Sequence, residues 1–218
     1  MGQKLYELLD QLMGGPIQGR RMRRQFHDDP ESVTGGLEAE ARQALYSMDL
    51  PTIGGAVGSE LQQEDPQAYA QYFANWYAWL NAWPFPATEF PANELPAECT
   101  GQTGEQPLYP NPQPKVYSIT PANKSVTAKT VVVDVVGQGF VKGKTRVQLV
   151  NAAGQALAVI NQSFSGTFRC GHLKATVTLP AAAGTYNVQV VVYAGTSTVT
   201  GQPVTINVPS AVKFTADP

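Results

Sequence analysis

The sequence predicts a multidomain α plus all-β chain: a small helical bundle, a proline-rich linker and a two-sheet β-sandwich. Three observations carry this reading. Leucines recur at helical spacing near the start, prolines crowd the middle, and strict two-residue alternation begins after residue 115. A length of 218 residues suffices for two small domains that each bury a core. Charge divides along the same line. Residues 1–65 carry six bases against eleven acids, residues 66–114 add four glutamates and no base, and residues 115–218 carry nine bases against two acids. An acidic front and a basic back suit ordinary solubility, and equally suit head-to-tail attraction between copies.

In chain order, Leu5, Leu8, Leu9 and Leu12 line one face of a helix that Gly14-Gly15-Pro16 stops. A second helical segment, Gly19 to His27, carries Arg20, Arg21, Arg23 and Arg24 with Met22 and Phe26 four apart. The acids around it make this a solvated face with local ion pairs, so no nucleic-acid partner is expected. A third helix, Glu38 to Met48, ends at Asp49-Leu50-Pro51. Asp65-Pro66 then opens an aromatic helix in which Tyr69, Tyr72, Phe73, Trp76, Tyr77, Trp79 and Trp83 recur at helical steps, with no charged residue between Pro66 and Thr88. An aromatic face is usually core. So many rings beside an uncharged opposite face point instead to a contact surface shared with a partner or a second copy.

The order Leu-Leu-Asp-Gln-Leu-Met, then Phe26, Asp29, Pro30, Leu37, Glu40, Leu45 and Asp49, resembles the small helical domain of LigA-type dioxygenase subunits and Nif11-type leaders. That resemblance spans about the first 60 residues. It implies a docking bundle and brings no catalytic residue, because the iron ligands of those dioxygenases belong mainly to the larger subunit. The leader reading would place a cleavage after Gly54-Gly55.

The helical domain is expected over 1–83 and the linker over 84–114, where eight prolines favour an extended, semi-rigid spacer or a strap along one domain. The sandwich is expected over 115–208, with a tail over 209–218. Its strands are placed at Val116–Pro121, Thr130–Val136, Arg146–Val150, Ala156–Ile160, Leu173–Leu179, Tyr186–Val192 and Val204–Val208. The run Thr130–Phe140 ends in a glycine-framed turn with an aromatic plug, which points to an immunoglobulin-like sandwich.

Three motifs in order resemble the IPT/TIG family, an immunoglobulin-like domain: Ser118, Ile119 and Pro121; Gly137, Gly139 and Phe140; and Leu179-Pro180 followed by Gly184, Thr185, Tyr186 and Val188. The likeness implies the fold over nearly all of 115–208. The family's roles range from receptors to tail and surface proteins, so function has to come from a site.

Chemistry is sparse. Gly143-Lys144-Thr145 imitates the end of a phosphate loop, but Gln138 stands where a glycine is required and strands surround it. His27 and His172 lie in different expected domains, and Asp28-Asp29 and Glu64-Asp65 read as helix caps. No catalytic, cofactor-binding or metal-ligating set emerges, and the chain is not expected to be an enzyme. Cys99 and Cys170, the two cysteines, are either a single bridge or two reduced thiols. No apolar run is long enough to span a membrane and no signal segment is visible. The expected function is a structural or adaptor role in a multi-copy bacterial or phage assembly such as a tail, contractile particle or surface fibre. Its partners would be copies of itself or other structural proteins. Synthesis in the cytoplasm is expected, with exposure outside the cell only as part of such a particle. The rival readings are an accessory subunit docking an extradiol-dioxygenase-like enzyme, and glycan binding through Phe140, Phe164, Phe168 and Tyr193.

Overall fold

A computed structural model describes residues 3–13, 18–47, 49–64, 66–67, 97–99 and 114–218. The aromatic set from Tyr69 to Trp83 and most of the proline-rich stretch lie outside the described residues. Among the described residues these helices come first: α1 (Leu5–Met13), α2 (Gln18–Asp28), α3 (Pro30–Thr34), α4 (Ala39–Ser47) and α5 (Leu50–Glu64). Two four-stranded sheets follow, made of β1 (Lys115–Thr120), β2 (Asn123–Ser125), β3 (Thr130–Gln138), β4 (Thr145–Val150), β5 (Val159–Gly166), β6 (Gly171–Thr178), β7 (Gly184–Thr196) and β8 (Pro203–Asp217).

α1 buries Leu5, Leu8, Leu9 and Leu12, as their spacing requires. The arginine cluster of α2 is not wholly a solvated face. Arg23 is buried, and its Nη1 donates to the Leu12 carbonyl at the end of α1, where helix C-termini leave acceptors unsatisfied. Asp29 stands at the N-cap of α3, but its side chain makes no capping bond.

Asp49-Leu50-Pro51 closes one helix and opens the next: the Asp49 N–H donates to the Ala44 carbonyl of α4 at 2.9 Å, and α5 begins at Leu50. Asp49 accepts from the Thr52 N–H at 3.2 Å and the Thr52 hydroxyl at 2.6 Å, and a proline in the first turn forfeits no helical bond. Ile53, Val57 and Leu61 then fall on one buried face. The Gly54-Gly55 pair sits inside this helix, with Gly54 buried. Farther along, the Glu60 carboxylate accepts from the Leu5 and Tyr6 N–H groups at 3.1 and 3.0 Å, so α5 caps the start of α1.

The sheets have strand orders β1-β3-β6-β5 and β2-β8-β7-β4, antiparallel except for β2 beside β8. Val133 and Val135, Leu173 and Ala175, Leu149, Val188, Val190 and Phe214 fill one core from both sheets. Gly137 owes its place to the plug. A Cβ there would strike the Phe140 ring and the Lys115 carbonyl, while Phe140 is fully buried.

Three boundaries differ from the sequence reading. The strand expected over 156–160 lies at β5, with Ala156 forming only an isolated bridge to Val150. β2 is additional. The last strand does not stop at Val208, and residues 209–217 belong to β8 rather than to a tail. Pro209 breaks the ladder donor pattern, but the Ser210 hydroxyl donates to the Val188 carbonyl at 2.5 Å and accepts from the Val212 N–H at 3.2 Å. A side chain thus bridges the interruption and the strand resumes.

The helices pack directly on the end of the sheets. One face of β7 serves two cores in succession. Val188 and Val190 point into the core between the sheets, and Val192 points into the core of the helices. β7 outlasts the strands that cover it, and α4 takes over as cover. Gly195 permits this approach, because a Cβ would meet the Ala39 Cβ at 2.9 Å. Gln43 fixes the same contact, donating to the Thr205 carbonyl at 2.9 Å.

Candidate functional site

Two places on the sheets collect polar chemistry: a strapped corner on the outer face of the β1-β3-β6-β5 sheet, and a cleft between the β4 and β5 edges.

At the corner, alternation along β6 sends Leu173 into the core and Cys170 and His172 outward together. On neighbouring β3, Val135 faces inward opposite Leu173, while Asp134 and Val136 face outward. A short 3-10 turn, Ala97–Cys99, lies over this face against β1 and β3. Cys99 and Cys170, separated by 71 positions in sequence, form a disulfide with Cα atoms 5.6 Å apart, and Val136 and Tyr117 pack around it. Burial pushes the Tyr117 hydroxyl up to about 12, so it stays protonated and donates to Gln138 Oε1 at 2.6 Å.

His172 stands between two carboxylates. Its Nε2 lies 3.3 Å from Glu98 Oε1 and its Nδ1 3.3 Å from Asp134 Oδ1. Glu98 is half exposed, which gives this corner a wet side. Ligand atoms of Glu98, Cys170 and His172 all fall within 4.8 Å of one another.

The cleft has a volume of about 590 Å³ and is lined by both edge strands. Antiparallel alternation turns the peptide groups of Thr145, Val147 and Leu149 away from β7. Gln162 reaches across from β5 and imitates a strand. Its Oε1 accepts from the Val147 N–H at 2.9 Å, and its Nε2 donates to the Thr145 carbonyl at 2.6 Å. The Leu149 carbonyl is taken by the Leu157 N–H at 2.9 Å. Val147 and Leu149 are themselves buried, so this margin of β4 is covered rather than bare.

Other residues singled out by the sequence have structural tasks. The phosphate-loop look-alike is a turn in which Thr145 accepts from the Val141 N–H at 2.7 Å and Lys144 reaches Glu31 at 3.7 Å. Phe140 and Phe168 are buried and offer no face to a glycan; Phe164 and Tyr193 are half-buried. Phe168 belongs to the loop before β6 and inserts among the helices, with its ring 5.9 Å from Phe26 and 5.8 Å from Tyr46. Its N–H donates to the His27 carbonyl at 3.1 Å. His27 is buried at this junction; burial first, then the Arg169 and Arg24 charges, push its pKa down to about 3, so the ring is neutral. The Tyr46 hydroxyl is pushed up mainly by burial and shares hydrogen bonds with Thr34 and Glu31.

The sequence reading set His172 apart from His27 and left Cys99 and Cys170 as either a bridge or two thiols, and it assigned no site role to Glu98 or Asp134. Cys170 stands in the bend before β6 and His172 two residues on, inside the strand. The seven aromatic contact residues, Tyr69 to Trp83, lie outside the described residues. Among the described residues no helix is long and apolar enough to cross a membrane. Comparison with protein-family models, with curated proteins and with solved structures finds no match.

Proposed function

We propose that this chain is a non-enzymatic structural or adaptor protein of a multi-copy bacterial or phage assembly, built on an immunoglobulin-like sandwich of the IPT/TIG kind. The strand order supports the fold. Lettered in sequence, β1-β3-β6-β5 corresponds to A-B-E-D and β8-β7-β4 to G-F-C, with β2 a second piece of strand A beside G.

The observation that carries the functional reading is the outer edge of β5, the last strand of its sheet, paired with β6 alone among the described residues and mostly exposed. That margin, with Ile160 60% exposed beside a 590 Å³ cleft, is a surface on which another chain can add a strand, with main-chain bonds supplying affinity. The helices fastened to the sandwich end give that edge a rigid support. In this reading the aromatic residues 69–83 supply a second contact, so that each copy has two surfaces to offer.

Light scattering on size-exclusion fractions over a concentration series tests it. Mass rising with concentration is expected. A monomer at every concentration, with iron-dependent ring cleavage appearing only when a second polypeptide is added, would sink the assembly reading in favour of a docking subunit.

A further inference from the structure

We propose that the strapped corner is a redox-gated zinc site. Reduction of the Cys99–Cys170 disulfide releases two thiolates that, together with His172 Nε2 and a Glu98 carboxylate oxygen, bind one divalent cation of the zinc class. In the oxidised form the sulfurs are spent on each other, and the corner is closed by the disulfide and by His172 seated between the two carboxylates.

The geometry points this way from three directions. First, Zn–N and Zn–O bonds of about 2.0–2.1 Å at a tetrahedral angle place nitrogen and oxygen roughly 3.3 Å apart. His172 Nε2 and Glu98 Oε1 already stand 3.3 Å apart. Second, the Cys170 sulfur belongs to the same cluster, within 4.8 Å of both, and Cys99 is bonded to it. Zn–S bonds of about 2.3 Å need sulfurs roughly 3.8 Å apart, which side-chain rotation supplies between Cα atoms 5.6 Å apart. Third, Asp134 sits at Nδ1, on the far side of the ring. A carboxylate there holds the proton on Nδ1 and leaves the Nε2 lone pair directed at the cation, the outer-shell arrangement of metal-binding histidines. Two thiolates, an imidazole and a carboxylate form a donor set suited to zinc.

The chemistry balances with a dithiol as reductant. Its two thiols exchange with the disulfide, it leaves as its own cyclic disulfide, and two cysteine thiols remain. The cation then displaces both thiol protons to solvent. With a phosphine instead, water supplies the oxygen of the phosphine oxide and the two protons.

The full chain, refolded with a water-soluble phosphine so that both thiols are free, is titrated with Co(II) as a spectroscopic stand-in for zinc. One equivalent should bind, with intense thiolate-to-cobalt charge transfer, and zinc should bleach that absorption. The oxidised chain should show none of it. Cys170→Ser should weaken binding and cut the charge-transfer band to about half, since one thiolate remains, and Asp134→Asn should weaken binding about 10-fold or more, as outer-shell losses do. Glu98 is half exposed, so Glu98→Gln leaves the fold intact and should also weaken binding. A reduced chain without the band, equal cobalt binding by the oxidised chain, or an affinity unmoved by both Glu98→Gln and His172→Ala overturns the proposal.

Discussion

Two segments are fastened to the sandwich by opposite means. The helices are held by many weak contacts: Phe168 between Phe26 and Tyr46, α4 over the end of β7, and Glu31 shared by Arg42 and Lys144. The 97–99 turn is held by one covalent bond and by His172 between its carboxylates. The first attachment is distributed, so packing and protonation govern it. The second is concentrated, so electrons govern it. One molecule therefore has two joints that answer to different conditions.

The largest expected blow to the distributed joint is Phe168→Ala. Emptying a fully buried aromatic site costs about 3–5 kcal/mol, and a denaturant melt should lose that much stability or split into separate transitions for helices and sheets. A melt with one unchanged midpoint would show that the two cores fold independently of this ring.

The concentrated joint comes next. Replacing both cysteines by serine frees a loop of 71 residues' separation and should cost about 2–4 kcal/mol, read by urea unfolding, without uncoupling the helices.

Acid should strike the helical joint. Folding lowers the His27 pKa from 6.5 to about 3, so below 6.5 the unfolded chain takes up a proton that the fold refuses. Stability is full above that pH and is lost as pH falls toward 3. At pH 5 the loss is about 2 kcal/mol relative to pH 8. In His27→Leu, thermal melts at the two pH values should converge; a gap as wide as in the parent chain would assign the acid sensitivity elsewhere.

The smallest effect is expected from Glu31→Gln. Its partners are partly exposed, so salt screening leaves well under about 1 kcal/mol, and the shift in melting temperature should shrink further in high salt.

The sequence was most legible where period and burial coincide. The leucines of α1 and the alternating strands β3, β6 and β7 could be read directly, as could the glycine-and-phenylalanine turn. It misled where one signal has two meanings. Pro51 ends a helix or begins one, and only Asp49's bonds to Thr52 decide. Pro209 ends a strand unless Ser210 repairs the ladder. The corner at His172 was half legible: Cys170 and His172 stand two apart, one just before β6 and one inside it. Glu98 and Asp134 arrive from elements 74 and 38 residues before His172 that pairing and the disulfide bring over β6, and no local pattern announces such a meeting. The helix–sheet junction was hidden for the same reason, since Phe168 reads as an exposed loop aromatic until its neighbours are known.

Gln162 bears on quality control as much as on architecture. A sheet margin with bare peptide groups templates runaway stacking, and natural proteins blunt such margins in various ways. Here a neutral amide from the facing strand acts as the stopper, occupying two of the β4 positions, with Val147 and Leu149 buried behind it. The margin of β4 is thereby shielded from indiscriminate pairing by a single side chain, without a further strand having to cover it.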